Sequence, residues 1–324
     1  MEAQTLFHVL VPDNVNQKAI DILRDCDGIR VSAPGKLERP ALLAAIADAH
    51  AIIIRSGVKA DAELIEGASQ LKAIARAGVG VDNVDLAAAS AKGIVVMNTP
   101  GGNTISTAEH SFGLMIALSR HIAQGHQSLL EGRWDRASFA GVELKGKTLG
   151  IIGLGRIGQE IATRAQAFAM QVIAHDPYLP PQVAAGINVP LLDLPELYAN
   201  SDFLTLHALV TDETRGMINA ESIATMKDGI RIINAARGAL IKSADLAAAL
   251  SSGKVAGAAL DVFEQEPPPT DHPLIGHPKV IHTPHLAAST ADAQVTVAVE
   301  AAQLIVEYLL KGVAENVCNP AVLS

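Results

Sequence analysis

Short runs of consecutive apolar residues alternate with longer stretches whose apolar positions recur every three or four residues. The alternation persists from residue 7 to about residue 290. The runs at 7–11 (FHVLV), 29–33, 51–55, 71–76 and 93–98 are rich in β-branched residues and too short for helices, so they predict strands. Between them, 15–23, 40–49, 62–68 and 84–91 have helical spacing and Ala/Leu-rich composition. Strands that are apolar throughout need cover on both faces, which points to a parallel sheet wrapped by helices. The first hundred residues therefore predict one open α/β domain.

A longer helical stretch at about 105–121 interrupts this rhythm. It restarts in TLGIIG, QVIAHD, FLTLHA, IRIINAA, VAGAALDV and KVIHT, a second strand–helix series. The segment 290–310 reads as a helix that continues past the last strand and is expected to return to the first domain. No internal repeat or low-complexity linker interrupts the chain.

Composition adds bounds rather than a function. A chain of 324 residues favours two domains over one. Aromatic residues make up only 3%, so the cores are expected to be aliphatic. The balance of 25 basic to 34 acidic residues, a net charge of -9, disfavours attachment to nucleic acid or an anionic membrane. Local arginines can still reverse the field inside one cleft. Cys26 and Cys318 stand near opposite ends of the chain with no metal-ligand spacing, so neither a disulfide framework nor a metal site is expected. The start, MEAQTLFHVLVPD, lacks a basic region and a long apolar run, and no segment is expected to approach the length needed to span a bilayer. A soluble, cytoplasmic enzyme with a small-molecule substrate is the resulting expectation.

Candidate chemistry begins with Gly153-Leu154-Gly155-Arg156-Ile157-Gly158, which follows the predicted strand 148–152 and opens a helix to about residue 168. Glycines there permit a tight turn, close approach of a pyrophosphate and close helix–strand packing, and the helix N-terminus supplies free N–H groups. At the end of the next strand stands Asp176, eighteen positions after Gly158, suited to ribose hydroxyls and repulsive to a 2′-phosphate. The constellation favours NAD over NADP. It makes the fold two doubly wound parallel-sheet α/β domains. A Rossmann NAD-binding domain at 99–290 is expected, inserted in a flavodoxin-like substrate domain at 1–98 plus 291–324.

Three further residues fall at or just beyond predicted strand ends of the nucleotide domain, where ligands bind in such sheets. They are Arg237 in Asn234-Ala-Ala-Arg-Gly238, Glu266 before Pro267-Pro268, and His285 in Thr283-Pro-His-Leu286. Singly, each has a bland reading as surface charge, solvated turn or satisfied polar residue. Their shared placement argues for chemistry.

With these words the chain resembles the D-isomer-specific 2-hydroxyacid dehydrogenases over nearly its whole length, nearest to the branch acting on 3-phosphoglycerate. Further matching words are Arg76-Ala-Gly-Val-Gly-Val-Asp-Asn-Val-Asp85, Val96-Met-Asn-Thr-Pro100 and Ala258-Ala-Leu-Asp-Val-Phe263. The resemblance implies that Arg237 holds the substrate carboxylate, that His285 exchanges the hydroxyl proton, and that Glu266 orients His285. It implies cofactor contacts at Arg156, Ile157, His207, Ala208, Ala235, Ala236, Asp261, Ala287 and Ala288. Substrate contacts are implied at Arg55, Ser56, Arg76, Gly78, Val79, Gly80 and Arg136. Imidazole titrates near neutrality, and guanidinium pairs bidentately with carboxylate or phosphate, as those roles require. Arg55 and Arg76 end neighbouring predicted strands and can face one cleft, although both, like Arg136, can also be read as plain strand-end or surface charge.

Departures from the family's words are Lys242 for an acidic residue, Ala287 for glycine, Leu209 where a proline is usual, and Val79 for a threonine. The resemblance also implies a homodimer through the helix 104–120. The chain's end near residue 324 leads to the expectation of no serine feedback through a regulatory module. Two alternatives stay open: a hydroxypyruvate or glyoxylate reductase with the same three residues, and an NAD-sensing, corepressor-like binding protein.

Overall fold

A computed structural model describes residues 6–323; residues 1–5, where the stretch read for a leader begins, and Ser324 lie outside the described residues. In chain order the elements are β1 (Phe7–Leu10), α1 (Gln17–Arg24), β2 (Ile29–Ser32), α2 (Arg39–Ile46), β3 (Ala51–Ile54), α3 (Ala62–Gly67), β4 (Ala73–Arg76), α4 (Leu86–Ala91) and β5 (Val95–Asn98). Then come α5 (Thr104–Arg120), α6 (Ile122–Leu130), β6 (Thr148–Ile152), α7 (Arg156–Ala167), β7 (Gln171–His175), α8 (Pro181–Gly186), α9 (Leu194–Asn200) and β8 (Phe203–Leu206). The remainder are α10 (Ala220–Thr225), β9 (Ile230–Asn234), α11 (Ser243–Ser252), β10 (Val255–Leu260), β11 (Val280–His282) and α12 (Ala291–Lys311). The chain forms two compact units, Met1–Asn103 with Thr290–Ser324, and Thr104–Ser289.

In the first unit β1 to β5 form a parallel sheet of order β2-β1-β3-β4-β5. Strand order reverses between β1 and β3, so a crevice opens beyond their C-terminal ends, where α/β sheets bind ligands. β3 is buried at every position (Ala51–Ile54) because helices cover both faces. Side-chain caps start the helices: Asn16 accepts from Lys18 N–H, Asp61 from Leu64 N–H and Asp85 from Ala88 N–H.

α12 corrects one expectation. Its 21 residues are long and apolar enough to cross a membrane by length and composition, an 18-residue stretch reaching a mean hydropathy of 1.3. The apolar side chains Val297, Ala301, Leu304, Ile305 and Leu309 are instead buried in the core of the first unit, beside Val9, Ala19, Ala75 and Met97. A core helix between a sheet and α1 must be apolar over most of its circumference, and a hydropathy window cannot separate that from a span.

The second unit has six parallel strands in the order β11-β10-β9-β8-β6-β7. Beyond β7 a single parallel bridge, Ala174 to Leu191, stands where a further strand would lie. Counting that bridge as the third strand gives 3-2-1-4-5-6, continued by one strand, which is the dinucleotide-fold order. The reversal falls between β6 and β8, so the crevice opens at the ends of those two strands.

Candidate active site

Beyond β6 the chain turns through Gly153-Leu154-Gly155 into α7. Gly153 has φ +90°, and a Cβ there would lie 2.6 Å from the His207 carbonyl oxygen. A Cβ on Gly158 would lie 2.3 Å from the carbonyl oxygen of Gly153. Both glycines therefore serve close packing of turn, helix and β8. Gly155 differs, because no atom lies within 4 Å of its built Cβ. It is the N-cap of α7 with no side-chain cap, so no cap side chain takes up the first-turn N–H groups of a twelve-residue helix.

Asp176, just past β7, secures this turn. One carboxylate oxygen accepts from Leu154 N–H at 2.9 Å, and the other accepts from Tyr178 and Leu179 N–H at 3.1 Å each. Across the crevice, His207 follows β8 and its Nε2 lies 2.8 Å from the Thr205 hydroxyl. Its Nδ1 is buried and has no partner in the protein. The residue as a whole keeps some exposure, but burial of the ring pushes its pKa down to about 3, so it stands neutral. An open helix N-terminus, a carboxylate one strand away and an orphaned imidazole nitrogen fit a dinucleotide: pyrophosphate at α7, ribose at Asp176 and a polar group at His207.

Arg237, Glu266 and His285 follow β9, β10 and β11, three neighbours in the sheet. The turn after β9 is pinned by buried Asn234, which accepts from Ala236 N–H at 3.0 Å and donates to Arg237 O at 2.9 Å. Arg237 Nη1 donates to the Ala236 carbonyl at 2.7 Å. Gly238 packs directly on the next loop, since a Cβ there would lie 1.9 Å from the Phe263 carbonyl carbon. That contact sets the Arg237 turn against the segment carrying Glu266. One Glu266 oxygen accepts from Phe263 N–H at 3.1 Å, and the other lies 2.6 Å from His285 Nδ1.

His285 has φ 55°, an uncommon conformation for a non-glycine residue. Its amide donates to the Asp261 carbonyl at 2.8 Å, and the next two amides donate to the Asp261 carboxylate, Leu286 at 2.8 Å and Ala287 at 2.9 Å. Asp261 is fully buried. Burial works to raise its pKa, but hydrogen bonds from His110, Thr283 and these two amides outweigh that and hold it below the usual carboxylate range. Ala287, where the family has glycine, is buried with its amide engaged and is not among the residues of positive φ, so the methyl group is accommodated without backbone strain. Ala208, Ala235, Ala236 and Ala288 lie on the same strand-end loops, after β8, β9 and β11.

In the first unit, Arg55 and Arg76 stand at the C-terminal ends of the paired strands β3 and β4. Asp13, past β1, accepts from Arg55 N–H at 3.0 Å, and Arg55 Nη1 donates to Asn14 O at 2.9 Å. Asn83 clamps the same loop, with Ser56 at its exposed turn, by donating to Arg55 O and Val58 O at 2.8 and 2.6 Å. Arg76 folds over its own turn: its Nη1 occupies the place a Cβ on Gly78 (φ +144°) would need. Asn98 steadies that turn by donating to Val79 O at 2.6 Å, and Gly80 follows, half-buried. Arg136 lies in the other unit, exposed, at the start of a single 3-10 turn, Arg136–Phe139.

Sequence reasoning passed over Asp13, Asn83, Asn234, Gly238, Thr283 and His110. Asn83, Asn234, Gly238 and Thr283 sit inside the quoted words, so their spacing carried a signal; Asp13 and His110 carried none. Among the described residues no cluster of His, Cys, Asp or Glu could hold a metal ion.

Residues 112–287, more than half the chain, match the family model described as the D-isomer specific 2-hydroxyacid dehydrogenase, NAD binding domain. A D-3-phosphoglycerate dehydrogenase of Archaeoglobus fulgidus is 48% identical over 298 residues, 92% of this chain and 56% of that protein. That of Bacillus subtilis is 44% identical over 303 residues, 94% and 57% of the two chains. The chain thus spans a little over half the length of these curated relatives. Among solved structures, the TT0316 protein of Thermus thermophilus superposes with a TM-score of 0.86 at 36% identity, covering 96% of this chain and all of the other. A glyoxylate reductase of Paecilomyes thermophila also gives 0.86, at 31% identity over 97% and 98% of the two chains.

Proposed function

Because the chain belongs to the D-isomer-specific 2-hydroxyacid dehydrogenases, we propose that it transfers a hydride between NAD and C2 of a D-2-hydroxy acid. The substrate pair proposed is 3-phosphoglycerate and 3-phosphohydroxypyruvate, which places the reaction at the entry to serine biosynthesis. The observation that carries this reading is the 2.6 Å pair of His285 Nδ1 and Glu266, which joins the loops after β11 and β10, with Arg237 after β9, the next strand in the sheet.

With Nδ1 held by Glu266, the other ring nitrogen of His285 is left to meet the substrate. It takes the C2 hydroxyl proton as the hydride leaves C2, and returns that proton to the oxygen in the opposite direction. The Glu266 carboxylate, 2.6 Å from Nδ1, keeps the ring oriented. Arg237 presents a planar guanidinium that pairs with the substrate carboxylate and draws the C2 oxygen toward positive charge. A bound nicotinamide would supply the hydride acceptor in one direction and the donor in the other.

The first unit is proposed as the substrate-binding domain. Its arginines 55 and 76 share one sheet edge and suit a phosphate dianion. In the second unit, exposed Ile122, Leu129, Leu130 and Trp134, just beyond α5, support a homodimer, and the cytoplasm is its proposed compartment. The second reading is a hydroxypyruvate or glyoxylate reductase; the glyoxylate reductase of Paecilomyes thermophila favours it by matching nearly full length. His285→Ala and Glu266→Gln test the chemistry common to both: each should cut kcat, the first by about a thousandfold or more, while NADH binding persists. Hydride transfer at the wild-type rate in His285→Ala would refute the assignment.

A further inference from the structure

One residue, Asp261, holds three consecutive amides of the loop that carries His285. His285 holds φ 55°, a conformation that non-glycine residues seldom adopt, and its own amide and the next two are all bonded to Asp261. His110 projects from α5 toward the same carboxylate, with its side chain 22% exposed. Its Nε2 lies 3.2 Å from an Asp261 oxygen and 3.1 Å from the Thr283 hydroxyl. That hydroxyl gives its own proton to the same Asp261 oxygen.

The proton positions follow from these partners. An ionised carboxylate only accepts, and the Thr283 proton is already committed to it. Nε2 must therefore carry the hydrogen and donate toward both oxygens. His110, Thr283 and Asp261 form one connected polar group behind the His285 loop, anchored on a helix rather than on a loop.

We infer that His110 is a positioning residue for hydride transfer: its Nε2–H, shared by Thr283 and Asp261, fixes the carboxylate from which the His285–Ala287 backbone hangs. The catalytic consequence rests on the proposed role of His285, but the mechanical one does not. His110 touches neither substrate nor the reacting atoms and acts through Asp261.

The test uses His110→Leu, which keeps much of the volume and removes the donor, and His110→Gln, which returns an N–H near the Nε2 position. In the ligand-free protein, amide hydrogen exchange at Leu286 and Ala287 should quicken about tenfold in His110→Leu, the loss expected for one hydrogen bond to a charged group, and return toward wild type in His110→Gln. kcat should fall with the first variant and recover with the second, while KM for the keto acid stays near wild type. Should His110→Leu fail to fold, Thr283→Val removes the bridging hydroxyl and should quicken the same two amides. Wild-type exchange at Leu286 and Ala287 in His110→Leu, or a His110→Gln variant as loose as His110→Leu, would overturn the inference. If the wild-type protein proved inactive on every keto acid, the exchange measurement would still decide the role of His110 and only the proposed function would fall.

Discussion

Replacing the glycines of the 153–158 turn one at a time separates what the turn needs to fold from what it needs to bind. Alanine at 158 would bring a methyl to 2.3 Å from the Gly153 carbonyl oxygen, a backbone atom that cannot swing aside. Overpacking of that kind costs about 2–3 kcal/mol, of which the better helix propensity of alanine offsets ~1 kcal/mol. A net loss of about 1–2 kcal/mol is expected, read by urea unfolding. Gly155 has φ -68° and ψ -163°, a conformation open to alanine, and nothing stands within 4 Å of its built Cβ. Alanine there should change stability by less than about 0.5 kcal/mol. Its methyl would nevertheless fill the space in front of the α7 N–H groups, and NADH affinity should fall at least about tenfold, or about 1.4 kcal/mol. Fluorescence titration with NADH reads that loss directly. If Gly155→Ala binds NADH as tightly as wild type, the turn does not hold the pyrophosphate; if Gly158→Ala unfolds at the wild-type midpoint, the packing account of that glycine is wrong.

Three other outcomes are expected. Lys242 at the N-cap of α11 gives no side-chain cap, and Glu264 takes that place by accepting from Ser243 N–H at 3.2 Å and from the Ser243 hydroxyl at 2.5 Å; Glu264→Ala should cost about 1 kcal/mol and Lys242→Asp should recover most of it, as thermal melts of the single and double variants would show. His207 is neutral when folded, with its pKa at about 3, whereas an unfolded histidine takes a proton near 6.5. Stability should therefore be present in full above pH 6.5 and decline as pH falls from there toward 3; in His207→Gln the slope of unfolding free energy over that range should flatten, and an unchanged slope would contradict the burial. Replacing Arg55 and Arg76 together by glutamine should raise KM for a phosphorylated keto acid about a hundredfold or more, two charge-assisted contacts being lost, while KM for glyoxylate shifts little; equal losses on both would return the arginines to a structural role.

The strands and their grouping were legible because a parallel sheet covered on both faces writes itself as continuous apolar runs, as in Ala51–Ile54. The nucleotide turn and the three strand-end residues were legible because strand, glycines, helix and carboxylate recur at fixed spacing. α6 escaped notice because the expected helix stops at His121, whose φ of 52° breaks it, and the residues beyond, Ile122, Leu129 and Leu130, are exposed rather than aligned on a core. Helices α8 to α11, of ten residues or fewer, carry too few turns for periodicity to register. His110 could not be singled out from sequence. A histidine in an apolar helix reads the same whether it fills a core or braces a carboxylate 151 positions away, and only its 3.2 Å approach to Asp261 distinguishes the two.

The rate of NADH oxidation with 3-phosphohydroxypyruvate, hydroxypyruvate and glyoxylate as acceptors, measured under one set of conditions, decides both the substrate and the chemistry. A kcat/KM for the phosphorylated acid at least about a hundredfold above the other two is predicted, the discrimination expected of charged groups that hold a phosphate. Equal or better turnover of the unphosphorylated acids would contradict the substrate assignment, and no oxidation of NADH with any of the three would contradict the proposed chemistry itself.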